Sequence, residues 1–206
     1  MHTYTIDNAA GQPVSYTDGK RLWWLLSLVN PLIPLVGVSG HAMTGSQVWL
    51  FVPLFLMFVM GPTFDWVFGE DENNPPEEIV PQLEEDRYYR TLTYITVPLH
   101  FISFFGCAIW VGTQDVSLAG FLALTIALGF ADGFAINTGH ELGHKRTKIE
   151  TWLAKIVLAV PAYGHFWIEH NRGHHRDVAT PEDPASARMG ESIYKFAKRE
   201  IKVTFI

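Results

Sequence analysis

Cysteine is almost absent: Cys107 is the single one in 206 residues. That excludes an internal disulfide and a cysteine-built metal knuckle. Cys107 sits in an apolar run, where a small buried hydrophobe is expected. Charge is scarce as well. Asp, Glu, Lys and Arg make up 17% of the chain, against about 25% in an ordinary soluble protein. The formal net charge is −6, and no basic stripe offsets it, so nucleic acid is not an expected partner. Residues 1–19 are polar. They lack the basic stretch followed by a short apolar one that marks a signal peptide. There is no internal repeat and no low-complexity tract.

What the chain does have is apolar length. Apolar residues make up 48% and aromatic ones 14%. Four long apolar runs cover 22–43, 48–68, 92–112 and 118–138, each long enough to cross about 30 Å of hydrocarbon. Pro31 and Pro34 are expected to bend the first, which membranes tolerate. Trp23, Trp24, Trp66, Trp110 and Trp152 lie near run ends, as interfacial aromatic belts do. Residues 69–90 are acidic and contain prolines, the pattern of a solvated connector with a short amphipathic piece. Basic residues are placed asymmetrically: Lys20 and Arg21 before the first run, Arg87 and Arg90 before the third, Lys145, Arg146 and Lys148 after the fourth. The positive-inside rule therefore puts the N-terminus, the acidic connector and the end of the fourth run in the cytoplasm. A fifth run, 152–168, is short and interrupted by Pro161. It reads as a re-entrant or interfacial segment. The fold class expected is all-α integral membrane, about four transmembrane helices plus that segment.

The chemistry-bearing residues follow the fourth run. Five of the nine histidines fall in two boxes. In the first, His140 and His144 are four apart, on one face of a helix, close enough to bind one metal. The segment His140-Glu141-Leu142-Gly143-His144 also fits the H-E-x-x-H pattern of zinc peptidases. In the second, His170 and His174 repeat the spacing. His175 projects about 100° away on an ideal helix and is placed to serve a second ion. Asn137 shares the His140/His144 face and is a candidate to hold a ligand ring by hydrogen bond. One catalytic zinc does not use five imidazoles. They suit a site with two ions, and imidazole binds iron as readily as zinc.

At these residues the sequence resembles a known family. "NTGHELGHK" with "GHFWIEHNRGHHRDVATPEDPASARMGES", and "FGEDENNPPEE" with "RYYRTLTYITVPLH", closely resemble the bacterial membrane alkane 1-monooxygenases. More broadly, the boxes match the histidine pattern of integral-membrane fatty-acid desaturases and hydroxylases. The resemblance implies a non-haem site of two iron ions in a multi-pass protein of the bacterial inner membrane, with the boxes on the cytoplasmic side. His140, His144, His170, His174 and His175 match ligand positions of the family. It implies hydroxylation of the terminal methyl of medium-chain n-alkanes with O2, and electrons from rubredoxin and rubredoxin reductase. The complete family has six spans, a third histidine box and one further histidine. Residues 20–206 are accordingly expected to be a membrane hydroxylase domain shortened at its C-terminal end, after a polar segment at 1–19. Three other readings remain at this point: a fatty-acyl desaturase or hydroxylase on the same scaffold, a membrane zinc peptidase, and an inactive fragment lacking the third box.

Further residues have candidate roles. Met57, Phe58 and Phe104 are candidate lining of an apolar substrate channel by position. His165, Glu141, Glu169, Asp177 and Asp183 neighbour the boxes and are candidates to orient ligand rings, although the "TPEDP" that holds Asp183 also reads as a turn. His100 and Asp132 lie inside spans, where ionisable groups are functional suspects; they are candidates to pair with each other. His2 and His41 are expected to be solvent or interface residues. Lys195, Lys198, Arg199 and Lys202 form a basic tail suited either to an acidic electron carrier or to membrane lipid.

Overall fold

The computed structural model describes residues 2–204. Helices dominate, and four of them are long and apolar enough to cross a membrane. These are α1 (Trp23–Thr44), α2 (Gln47–Phe68), α4 (Arg87–Thr113) and α5 (Leu118–His144). Shorter helices are α3 (Val80–Glu85), α6 (Lys148–Val157) and α8 (Ile193–Thr204). Between α6 and α8 lies α7, residues 166–177, a helical turn that changes register midway.

The polar segment at the N-terminus is ordered. Strands β1 (His2–Asp7) and β2 (Pro13–Asp18) pair antiparallel, with Tyr4 opposite Tyr16. Polar side chains clamp this hairpin to the start of α4. Tyr4 hydroxyl donates to Asp86, and Tyr89 hydroxyl donates to Asp18. Arg21 also donates to Asp86 at 2.6 Å while its guanidinium lies 4.2 Å from the centre of the Tyr88 ring. Arg21 holds the Asp86 carboxyl well below the usual carboxylate range. The same Asp86 caps α4 by accepting from the Tyr88 N–H at 2.8 Å.

Proline shapes the first two spans. α1 begins as 3-10 helix through Asn30–Leu32 and becomes α-helix only at Ile33–Thr44. Prolines remove backbone donors there, so the α-helical ladder cannot run through. α2 passes from 3-10 to α to a π-turn at Leu56–Met60 before Gly61–Phe68. α4 and α5 are each 27 residues long. Small residues line the buried side of α5: Gly120, Ala123, Ala127, Ala131, Ala135 and Gly139, and a Cβ on Gly120 would stand 2.6 Å from Leu50 of α2. Small residues at such spacing let helix backbones approach. Around them, Ile102, Phe105, Ile109, Ile126 and Phe130 point outward and are exposed, as a hydrocarbon-facing surface requires.

The 152–168 run does not cross. α6 has ten residues, about 15 Å of helix, and ends in turns. Thr147 caps it by accepting from the Glu150 N–H at 3.3 Å, and its hydroxyl donates to Glu150 Oε2 at 2.6 Å. Its apolar face, Ala154 and Val157, packs with Val97, Ala135 and Leu142 of the spans. His41 is buried rather than interfacial, accepting from Trp110 Nε1 at 3.1 Å.

Candidate metal centre

The last turn of α5 presents His140 and His144 side by side, their Nε2 atoms 3.0 Å apart. α6 then folds back, and α7 returns to that end of the bundle. His170 Nε2 lies 3.2 Å from His144 Nε2, and His175 Nε2 lies 3.0 Å from His170 Nε2. Four imidazole nitrogens thus meet end to end. Both boxes stand at the same end of the helices, as a non-crossing 152–168 segment requires.

The pairing inside the second box differs from the one that ideal helix geometry predicts. Residues 169–174 form a π-turn, whose bonds run i to i+5. That register brings His170 and His175, five apart, onto one face. His174 is turned aside instead: its Nδ1 lies 2.8 Å from Asp183 Oδ2. Asp183 is 2% exposed. Burial opposes its ionisation, but hydrogen bonds from Ser186, the Ala185 N–H and His174 together hold its carboxyl below the usual range. Burial, and then the neighbouring imidazoles, push His170 down to about 4.

The other sequence candidates fall in different places. Glu141 is exposed and points to Lys145, 3.9 Å away, rather than to the histidines. Glu169 meets His165 at 3.8 Å, and burial raises its carboxyl pKa. Asp177 is taken up by Arg176 at 2.7 Å. Asn137 lines a cavity beside α5. Phe58 packs edge-on against Phe130 with ring centres 4.5 Å apart, and Phe104 against Phe105; neither they nor Met57 line that cavity. His100 and Asp132 do not bond to each other: His100 Nδ1 and Asp132 Oδ1 have no hydrogen-bond partner among the described residues. In the basic tail, Arg199 is engaged with Glu191 at 2.8 Å and with the carbonyls of Pro184 and Ser186.

Two supports were not foreseen. Glu150, 1% exposed, collects Arg90 at 2.8 Å, Tyr94 hydroxyl at 2.8 Å and Thr147. This ties α6, and so the return of α7, to α4. The Thr147-x-x-Glu150 spacing was the available signal. Trp167 covers Gly143, between the two histidines of the first box; a Cβ on Gly143 would stand 3.1 Å from its Cδ1. No periodicity marked that contact.

The cavity has a volume of about 670 Å³. It runs from Glu84 and Lys145 at the helix ends to His100 within α4, on a face of α5 adjacent to that of the histidines.

Fold and site together define a multi-pass helical membrane protein with a histidine cluster at one end of its bundle. Residues 115–206, which carry both boxes, match the family model for fatty acid desaturases. The chain is 54% identical over 191 residues to an alkane 1-monooxygenase of Ectopseudomonas oleovorans, covering 93% of this chain and 48% of that protein. It is 53% identical over 190 residues to alkane 1-monooxygenase 1 of Alcanivorax borkumensis, covering 92% and 47%. A relative from Pseudomonas putida, also an alkane 1-monooxygenase, is 53% identical over 190 residues. Over nine-tenths of its length, this chain is similar to these alkane 1-monooxygenases. It spans about half the length of these relatives.

Proposed function

We propose that this chain carries the first two histidine boxes of a membrane alkane 1-monooxygenase, which converts medium-chain n-alkanes to 1-alkanols with O2. The observation that carries this reading is the convergence of His140, His144, His170 and His175. An Nε2 atom has one in-plane position, filled by either a proton or a lone pair. The Nε2 atoms of His144 and His170 each face two other Nε2 atoms at 3.0–3.2 Å. Hydrogen bonds cannot satisfy both contacts at one atom. Lone pairs directed at a shared cation can, and imidazoles sharing an ion at about 2.1 Å sit about 3.0–3.4 Å apart. The donor set therefore fits a metal, and its all-imidazole character suits iron.

In this reading His140, His144, His170 and His175 hold iron, and His174 joins them in binding a pair of ions. Asp183 accepts a hydrogen bond from the Nδ1–H of His174, which leaves Nε2 with a lone pair for a metal. Iron bound there supplies the reductive activation of O2 that an unactivated C–H bond demands, since such a bond offers no acidic proton and no leaving group. The buried Glu150–Arg90 tether keeps α6 and α7 in place around the rings. Membrane-embedded helices beside the site give an alkane its route from the bilayer. Electrons from rubredoxin, itself served by a reductase, reach the cytoplasmic end, where Lys195, Lys198 and Lys202 offer opposite charge to an acidic carrier. The basic residues Lys20, Arg21, Arg87, Arg90, Lys145 and Lys148 orient that end to the cytoplasm of a bacterial inner membrane. The zinc-peptidase reading loses support, because Glu141 turns away from the cluster to Lys145.

The test is elemental analysis of the chain purified anaerobically in detergent. Iron approaching about two per chain is expected. Zinc near one with little iron would overturn the reading.

A further inference from the structure

The cavity beside α5 takes no part in the histidine cluster, and its inner end is unusual. His100 is 1% exposed and lines it, yet its Nδ1 has no hydrogen-bond partner among the described residues. Buried polar atoms are almost always paired, so an orphan needs an explanation. His100 stands midway along a 27-residue span, a depth at which ionisable groups are functional suspects. Neutral polar side chains, Asn30, Thr96 and Asn137, also line the cavity. So do the apolar side chains of Trp24, Leu92, Phe134 and Leu142.

The cations at the mouth already have carboxylate partners. Arg90 meets Glu150 at 2.8 Å, Lys20 meets Asp71 at 2.6 Å, and Lys145 lies 3.9 Å from both Glu84 and Glu141. Nothing there calls for an ionised ligand. The volume of about 670 Å³ lies within the range of small-molecule sites, which combine apolar walls with a few placed polar groups.

We propose that this cavity binds a neutral, single-chain amphiphile through its hydroxyl group, with the hydroxyl on His100 and the chain along Trp24, Leu92 and Phe134. A hydroxyl both donates and accepts, so it satisfies His100 Nδ1 in either tautomer once the ring turns that atom, which has almost no accessible surface, toward the cavity. Two sources share this chemistry: a long-chain primary alcohol and a membrane monoacylglycerol. The alcohol is favoured because the proposed reaction would make it within the same bundle, and in that respect the inference rests on the proposed function. The cavity then holds product on its way from the bundle to the interface.

The test uses the chain in phosphatidylcholine nanodiscs and a 1-dodecanol analogue carrying a mid-chain diazirine, with cross-links mapped by mass spectrometry. Labels are expected on Leu92, Thr96 or Phe134. Excess 1-dodecanol should protect about tenfold better than dodecane or dodecanoate, the weight of one good hydrogen bond. His100→Leu should cut labelling about tenfold and His100→Gln should keep most of it. Phe134→Trp, which enlarges a second lining residue, should give the same loss as His100→Leu and covers the case in which that variant does not fold. Labelling indifferent to both variants, or protection by dodecane equal to that by 1-dodecanol, overturns the site. Better protection by monoolein than by 1-dodecanol keeps the site and overturns its assignment to product. Iron content of the same samples reads the proposed function separately: iron-loaded chain without protection by alcohol refutes this inference alone, and protection in chain that never takes iron refutes the reaction alone.

Discussion

His174 shows how one residue departs from its helix-wheel position. Its ring bonds to Asp183 across a nine-residue gap, in a turn that holds the carboxylate with Ser186 Oγ and the Ala185 N–H. A buried carboxylate on the far nitrogen of an imidazole fixes its tautomer and orientation, and such partners typically matter 10–100-fold in metal affinity. Asp183→Asn is therefore expected to weaken iron or cobalt binding by about that factor, read by anaerobic titration in detergent. Asp177→Asn serves as the contrast. Its carboxylate is taken by Arg176 at the surface, so affinity should stay within about twofold of wild type. Equal behaviour of the two variants would remove the orienting role from Asp183.

At the scale of elements, α6 decides whether the two boxes meet, and Glu150 decides where α6 sits. Glu150→Ala removes the partner of a guanidinium only 22% exposed and the acceptor of the Thr147 and Tyr94 hydroxyls. With Arg90 still partly hydrated, the expected cost is about 2 kcal/mol, below the range for fully buried pairs. Thermal unfolding in detergent would register it, and an unchanged midpoint would show the tether to be idle. The carboxyl of Glu150 also sets a pH dependence. Burial raises its pKa, but Thr147, Tyr94 and Arg90 outweigh burial and hold it below its ordinary value of 4.5. A depressed folded pKa contributes stability that is complete above the unfolded value and is lost as pH falls through the folded one. Wild type should thus lose stability relative to Glu150→Gln only on acidification below about pH 4.5, with no difference in slope near neutrality. Helix contact is equally exacting on α5, where a Cβ on Gly139 would stand 2.7 Å from Leu158 Cγ. Gly139→Val is expected to destabilise by about 1–3 kcal/mol through overpacking, seen as a lower midpoint in the same assay.

The whole molecule is a bundle with two unlike ends. One gathers the hairpin, the acidic connector, the basic residues and every histidine of the boxes; the other has the short turns at 45–46 and 114–117. Reporter fusions after Asn8 and after Arg176 are expected on the same side of the membrane, and a fusion after Asp115 on the opposite side. A fusion after Arg176 that reports the side of Asp115 would refute the non-crossing path of 152–168. The hairpin is held by Tyr4, Asp18, Arg21 and Asp86 rather than by apolar contact alone, and it covers the cavity mouth, which Tyr16 and Asp18 help to line.

Hydropathy and spacing alone determined that this chain crosses a membrane four times and carries two histidine boxes at the end of its fourth span, because run length and i, i+4 spacing are local properties of the sequence. They also led to the expectation that 152–168 turns back, since the run is short and holds Pro161. Only the tertiary structure decided which histidines meet. A single residue of extra register in the π-turn exchanges His174 for His175, and no periodicity in six residues separates π from α. It alone chose Asp183 over Asp177 and turned Glu141 away from the rings, because a carboxylate's partner is whichever group the folded chain brings within about 3 Å. It alone left His100 at the end of a cavity, since that space is bounded by residues from the hairpin, α1, α4, α5 and α6, far apart in sequence and joined only by folding.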